Sequence, residues 1–176
     1  MKRLLIFFIL LAPGLLMAQE SGLNDFFDKY SGKEGYSSIY ITRHMFELFA
    51  KADKQSQDQE LDRITSNLDG IKILTKKPNQ GGMSDQAFLN ELNKLLPRNT
   101  YKELMVIRDG GQKITFLIRE KGDRIAELVM QMHGDDETGI IFMEGDMTLQ
   151  QISQLSESME IKGFEHLEKE DEKENE

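Results

Sequence analysis

From Tyr101 to Glu144 apolar and polar residues alternate, whereas the flanking segments carry their apolar residues every third or fourth position. Alternate side chains of a strand point to opposite faces and a helix returns to one face after about 3.6 residues, so the middle of the chain predicts sheet and its flanks predict mostly helix. Four strands are expected, Tyr101 to Arg108, Gln112 to Glu120, Arg124 to Met132 and Thr138 to Glu144. Their connections, Asp109-Gly110-Gly111, Lys121-Gly122-Asp123 and Gly134-Asp135-Asp136-Glu137, are short enough for tight hairpins, which makes the segment an antiparallel meander.

Before the meander, Leu23, Phe26, Phe27 and Tyr30 predict a short amphipathic helix ending at the Ser31 to Gly35 turn. Ser37 to Ile41 reads as a strand with Ile39 and Ile41 on one face, followed by a helix that Thr42 can cap and that buries Met45, Phe46 and Phe49. A polar stretch, Lys54 to Glu60, leads to a helical turn or two holding Leu61, Ile64 and Leu68, and then to a strand from Gly70 to Leu74. Pro78 to Gly82 is a loop; Ser84 caps a helix with Phe88, Leu92, Leu95 and Leu96 on one side, which Pro97 stops. After the meander, Thr148 and Gln151 match a capping box, and Leu149, Ile152, Leu155 and Met159 form one apolar stripe.

These elements predict an α+β domain. Its sheet is mainly antiparallel, the C-terminal four-stranded meander plus the two earlier strands, with helices packed mainly on one face. A ferredoxin-like first half, with its two strands parallel through a right-handed crossover, is the alternative topology. If Ile114, Phe116, Ile118, Leu128 and Met130 face the helices, the other face receives Lys113, Thr115, Leu117 and Arg119 from one strand and Ile125, Glu127, Val129 and Gln131 from the next. That second face mixes aliphatic with charged side chains, unlike a plain solvent face. Cover by the N-terminal segment or the Pro78 loop is the favoured explanation. The rival is a partner face formed by Leu117, Arg119, Ile125 and Val129.

The ends change the picture of where this domain works. Residues 1–18 have the order of a signal peptide: Lys2 and Arg3, the apolar run Leu4 to Leu11, a break at Pro13-Gly14, and Leu16-Met17-Ala18 before Gln19. The run is too short for a stable membrane anchor, so the expected product is an exported protein, periplasmic where two membranes are present. Residues 19–164 then form a single domain, and residues 165–176 an acidic disordered tail with one apolar residue, Leu167. The formal charge is −9, and removal of Lys2 and Arg3 makes the exported chain more acidic still, which disfavours nucleic acid and anionic membrane surfaces as partners. Cysteine is absent, which excludes disulfides, thiolate metal sites, a cysteine nucleophile and the lipidated cysteine of a bacterial lipoprotein, and favours a bacterial source.

The chemical candidates are few. His44, His133 and His166 are scattered, with no titratable partner at a spacing that implies pairing. Neither a nucleophile elbow nor a phosphate-binding glycine loop is present; Gly81-Gly82 and Gly110-Gly111 are turn glycines. Asp135-Asp136-Glu137 lacks the alternating ligand spacing of a calcium loop. Met130, Met132 and His133 offer thioether and imidazole ligands suited to copper(I), but on a strand the methionines share one face and the histidine takes the other, so core packing outweighs metal binding.

Tyr30-Ser31-Gly32-Lys33-Glu34-Gly35 before a strand and helix, Leu68-Asp69-Gly70-Ile71-Lys72-Ile73-Leu74, and Tyr101-Lys102-Glu103-Leu104-Met105 at the start of the meander form an ordered set, with Gly134-Asp135-Asp136, Gly145-Asp146 and Ile152-Ser153. In these segments, and over nearly the whole mature chain, the sequence resembles small exported proteins of Bacteroidetes that carry a domain of unknown function. The resemblance implies cell-envelope residence and brings no activity or catalytic residue with it. The expectation is therefore a non-enzymatic interaction or regulatory module with another envelope protein as partner, and with no catalytic residue, cofactor-binding residue or cofactor assigned. The alternative is a hydrolase or metal-handling protein whose site is assembled from distant residues.

Overall fold

The alternating segment folds as the meander its pattern predicts, and the earlier strands extend it on one side. The structure, a computed structural model, describes residues 22–53, 66–77, 81–135 and 137–159. The signal segment, the Lys54 stretch with Leu61 and Ile64, Pro78 to Gln80, Asp136 and the acidic tail lie outside the described residues. The described elements are α1 (Gly22–Tyr30), β1 (Tyr36–Thr42), α2 (Arg43–Asp53), β2 (Leu68–Lys76), α3 (Asp85–Leu95), β3 (Lys102–Asp109), β4 (Gln112–Lys121), β5 (Arg124–His133), β6 (Thr138–Met147) and α4 (Leu149–Met159).

The sheet runs in the order β1-β2-β6-β5-β4-β3 with every neighbouring pair antiparallel. The α+β class and the meander are as the sequence predicts. The parallel, ferredoxin-like first half is not, because β1 and β2 pair antiparallel along Tyr36–Thr42 and Gly70–Lys76. Leu68, assigned by spacing to a helical turn, opens β2 opposite Gly145. A Cβ at Gly145 would stand 2.1 Å from the Asn67 carbonyl oxygen, the same oxygen that accepts from the Asp146 N–H at 2.9 Å, so this crossing requires glycine.

Helices cover both faces, where the pattern placed them mainly on one. On the first face, Phe46 of α2 and Ile152 of α4 pack on Ile71, Ile114, Phe116, Leu128, Met130, Ile141 and Met143. On the second, Leu23, Phe26 and Phe27 of α1 and Phe88 and Leu92 of α3 pack on Leu74, Val129, Ile140 and Phe142. Charged and polar contacts tie the second layer together: Lys29 bonds Glu91 at 2.6 Å, the Tyr30 hydroxyl donates to Glu91 at 2.7 Å, and Lys76 pairs with Asp85 at 2.6 Å.

The helix starts follow their caps. The Ser84 Oγ accepts from the Ala87 N–H at 3.2 Å, and in the Thr148 box the Thr148 N–H donates to Gln151 Oε1 at 3.0 Å while the Gln151 N–H donates back to Thr148 Oγ1 at 3.2 Å. Two stripe residues face outward instead of inward. Met45 is exposed because α2 turns its Phe46 side to the sheet, and adjacent helical side chains diverge by about 100°. Leu149, at the first turn of α4, is also exposed.

Candidate functional site

The site grows from one irregularity in β5. Arg119 pairs with Glu127 and Glu120 with Ile125, which leaves Ala126 as an extra residue in the strand. Strict alternation would put Ile125 and Glu127 on one face; the bulge sends Ile125 into the core under α2 and α4 and keeps Glu127 on the α1 and α3 side. Glu127 is opposed on β4 by Arg119 and on β6 by Glu144, so a row of charges crosses the sheet.

Glu127 is 1% exposed, and a buried carboxylate is tolerable only with donors around it. It has two, the Arg119 guanidinium on Oε1 and the Tyr101 hydroxyl on Oε2. The Glu127 bond pushes the Arg119 pKa further up, so the cation persists throughout the neutral range. Glu144, directly opposite a like charge, accepts from Asn24 Nδ2 at 3.0 Å, and Lys72 donates to the Oδ1 of the same asparagine. Burial raises the Glu144 pKa above the ordinary carboxylate value, Asn24 and Lys72 offset part of that, and the Glu127 charge adds to the rise.

A carboxyl whose folded pKa lies above its unfolded one takes up its proton first in the folded state, so its contribution falls as pH rises from the ordinary carboxylate range through the raised value. Glu144→Gln keeps an oxygen for Asn24 and removes the charge. The variant is expected to melt at or above the wild-type temperature at neutral pH, with the two curves converging in acid. Thermal unfolding across pH is the check, and a variant that melts lower than wild type at neutral pH would show the charge to be stabilising.

Tyr101 links this row to a cavity of about 710 Å³ on the same side of the sheet, at the margin of α3. Pro97 ends the helix, and the Thr100 and Tyr101 N–H groups both donate to the Pro97 carbonyl at 2.9 Å, which turns the chain so that Tyr101 closes one wall. The buried Leu96, Tyr101 and Thr115 and the half-buried Leu117 and Gln131 line its depth, and Gln131 Nε2 donates to Asn93 Oδ1 at 3.3 Å. Arg98, Lys102 and Lys113 line it as exposed cations against one acid, Glu103. Lys102 pairs with Glu120. The lining is thus locally basic on a chain whose net charge is −9.

The structure separates the residues of the predicted partner face. Val129 is 0% exposed in the cluster under α1, Ile125 is buried on the opposite side of the sheet, Arg119 is held by Glu127, and Leu117 alone lines the cavity. They do not form one open surface: the bulge parts Ile125 from the other three, and α1 and α3 cover Val129. Met130 is buried on the first face with Met132 partly buried beside it, and His133 Nδ1 lies 3.0 Å from Thr138 Oγ1. His44 does have a titratable neighbour, Glu47 at 3.4 Å, on an exposed helix surface. Glu127 and Glu144 are close carboxylates, but neither lines the cavity and both are engaged by donors.

Fold and cavity thus define a small α+β domain with an antiparallel six-stranded sheet and a basic-mouthed cleft at one margin. The chain belongs to a family described as "Domain of unknown function (DUF4252)", whose model matches residues 30–155. No curated protein matches it, and no solved structure matches it.

Proposed function

We propose that this protein is an exported, periplasmic interaction or regulatory module without catalytic activity of its own, and that it engages another envelope protein through the cleft beside α3. The observation that carries the reading is the cleft itself, an interior of Leu96, Tyr101, Thr115 and Leu117 behind a mouth bearing Arg98, Lys102 and Lys113. Such a site takes an anionic group set on an apolar body, as an acidic side chain beside an aliphatic one on a partner presents. Export rests on the charge, apolar run and cleavage pattern of residues 1–18.

Arg98 and Lys113 are exposed, so their reversal should leave stability within about half a kcal/mol. Affinity capture from the envelope with wild type and with Arg98→Glu/Lys113→Glu is expected to enrich a partner that the variant holds about tenfold less well, with the wild-type interaction weakening as salt rises. A partner held equally by both proteins would overturn the cleft as the contact site. Intact mass of the envelope species should begin at Gln19, and an uncleaved chain confined to the cytoplasm would overturn export.

A further inference from the structure

The two edges of the sheet are built differently. β3 carries Lys102, Glu103, Arg108 and Asp109 and a register shift between Glu103 and Met105, devices that keep an exposed strand from pairing with another chain. β1, Tyr-Ser-Ser-Ile-Tyr-Ile-Thr, has no charged residue, no proline and no shift along its pairing with β2. Among the described residues nothing pairs with its outer edge. Ile39 and Tyr40 at its middle are 52% and 53% exposed. The strand is held in place, since Tyr36 at its start packs on Tyr30 and Phe88 and the Tyr40 ring lies against Lys72 and Phe27, so the edge is preformed.

We propose that β1 pairs antiparallel with β1 of a second copy of this chain about a two-fold axis at Ile39, joining the two sheets into one. A strand presents its outward N–H and C=O groups at every second residue, so a two-fold antiparallel pair must be centred on a residue, and only Ile39 as centre opposes all seven positions. That register sets Ile39 against Ile39, Ser38 against Tyr40, Ser37 against Ile41 and Tyr36 against Thr42, with no charge in the seam of a chain that is strongly acidic overall. Just beyond the strand the register brings the Lys33-Glu34 turn of one copy to the Arg43 end of the other, where Arg43 pairs with Asp69 and His44 with Glu47 of its own copy, so no uncompensated like charges face each other there. Ile39 and Ser37 also line a recess of about 370 Å³ whose other walls include Ile73, Met132 and Ile141. In this register the second copy's Ile39 and Ile41 fall beside that recess on the same face.

Because the chain has no cysteine, Ile39→Cys gives it a single thiol. Cross-strand Cβ atoms at such a position are about 4.5 to 5.5 Å apart, near the span a disulfide closes with small adjustment. The expected result is that wild type sediments as a dimer whose population follows concentration, that mild oxidation of Ile39→Cys yields a covalent dimer in high proportion, and that Ser37→Cys, whose thiol faces position 41 instead of its own copy, yields little. Ile39→Lys, a charge set against itself at an exposed position, should give a folded monomer by sedimentation and circular dichroism. A wild type that stays monomeric at every concentration, a dimer that Ile39→Lys leaves intact, or equal cross-linking from positions 37 and 39 would overturn the proposal.

Discussion

Arg119→Ala is expected to destabilise the fold by about 3 to 5 kcal/mol, the range for removing one member of a buried ion pair. The size comes from what stays behind. Glu127 has a side chain 2% exposed, and without the guanidinium it keeps one donor, Tyr101, while Glu144 faces it from the next strand. Arg119 itself is 31% exposed, so little of the loss is apolar packing by its own side chain. Glu127→Gln in the Arg119→Ala background removes the stranded charge and should recover a large part of the stability, which a double-mutant cycle by urea unfolding measures. If Arg119→Ala unfolds at the wild-type denaturant midpoint, the buried ion pair contributes nothing and the anchoring of Tyr101 must be sought elsewhere.

That pair also shows where sequence reading stops. The meander, its hairpins and the caps at Ser84 and Thr148 were legible because each depends on residues a few positions apart. Alternation puts Arg119 and Glu127 both on the mixed second face, yet regular pairing back from the turn between Lys121 and Arg124 would set Arg119 against Ala126. The extra residue that makes them partners carries no local signature, since Ala126 resembles any other strand alanine. The same slip puts Ile125 on the face opposite to the one strict alternation predicts. Glu144 was invisible as a neighbour of Glu127 because β6 pairs with β5 through its own irregularity, between Ile125 and Glu127.

The cleft was half legible. Lys113, Thr115, Leu117 and Gln131 appear in the alternation of β4 and β5 as one face, and the structure puts all four on the cavity wall. Arg98 and Lys102 gave no signal, because they reach the cavity only through the turn after Pro97, whose direction is fixed by bonds to the Pro97 carbonyl. The division of the helices between two faces was hidden for a related reason. Amphipathic helices declare that they pack on something, and the choice of face depends on contacts distant in sequence, which the pattern of apolar residues does not encode.

Leu117→Ser combined with Val129→Ser is expected to destabilise the protein by about 3 to 4 kcal/mol in total. The two positions are cross-strand partners on the face covered by α1 and α3. Val129 is fully enclosed, so serine there loses the buried methyl groups, leaves a small void and buries a hydroxyl with no arranged partner; it should account for most of the change. Leu117 is half-buried at the cavity wall, where water can solvate a serine, so its share should be nearer 1 kcal/mol. The single variants therefore separate what the double one sums, subject to coupling between neighbours that the cycle itself reports. Guanidinium unfolding decides the matter: a double variant within about half a kcal/mol of wild type would mean that α1 and α3 do not cover this face in solution and that Leu117 and Val129 belong to an open surface. A loss concentrated in Val129, with Leu117→Ser folded and weaker in partner capture, is the pattern that a covered sheet with its cleft at the margin demands.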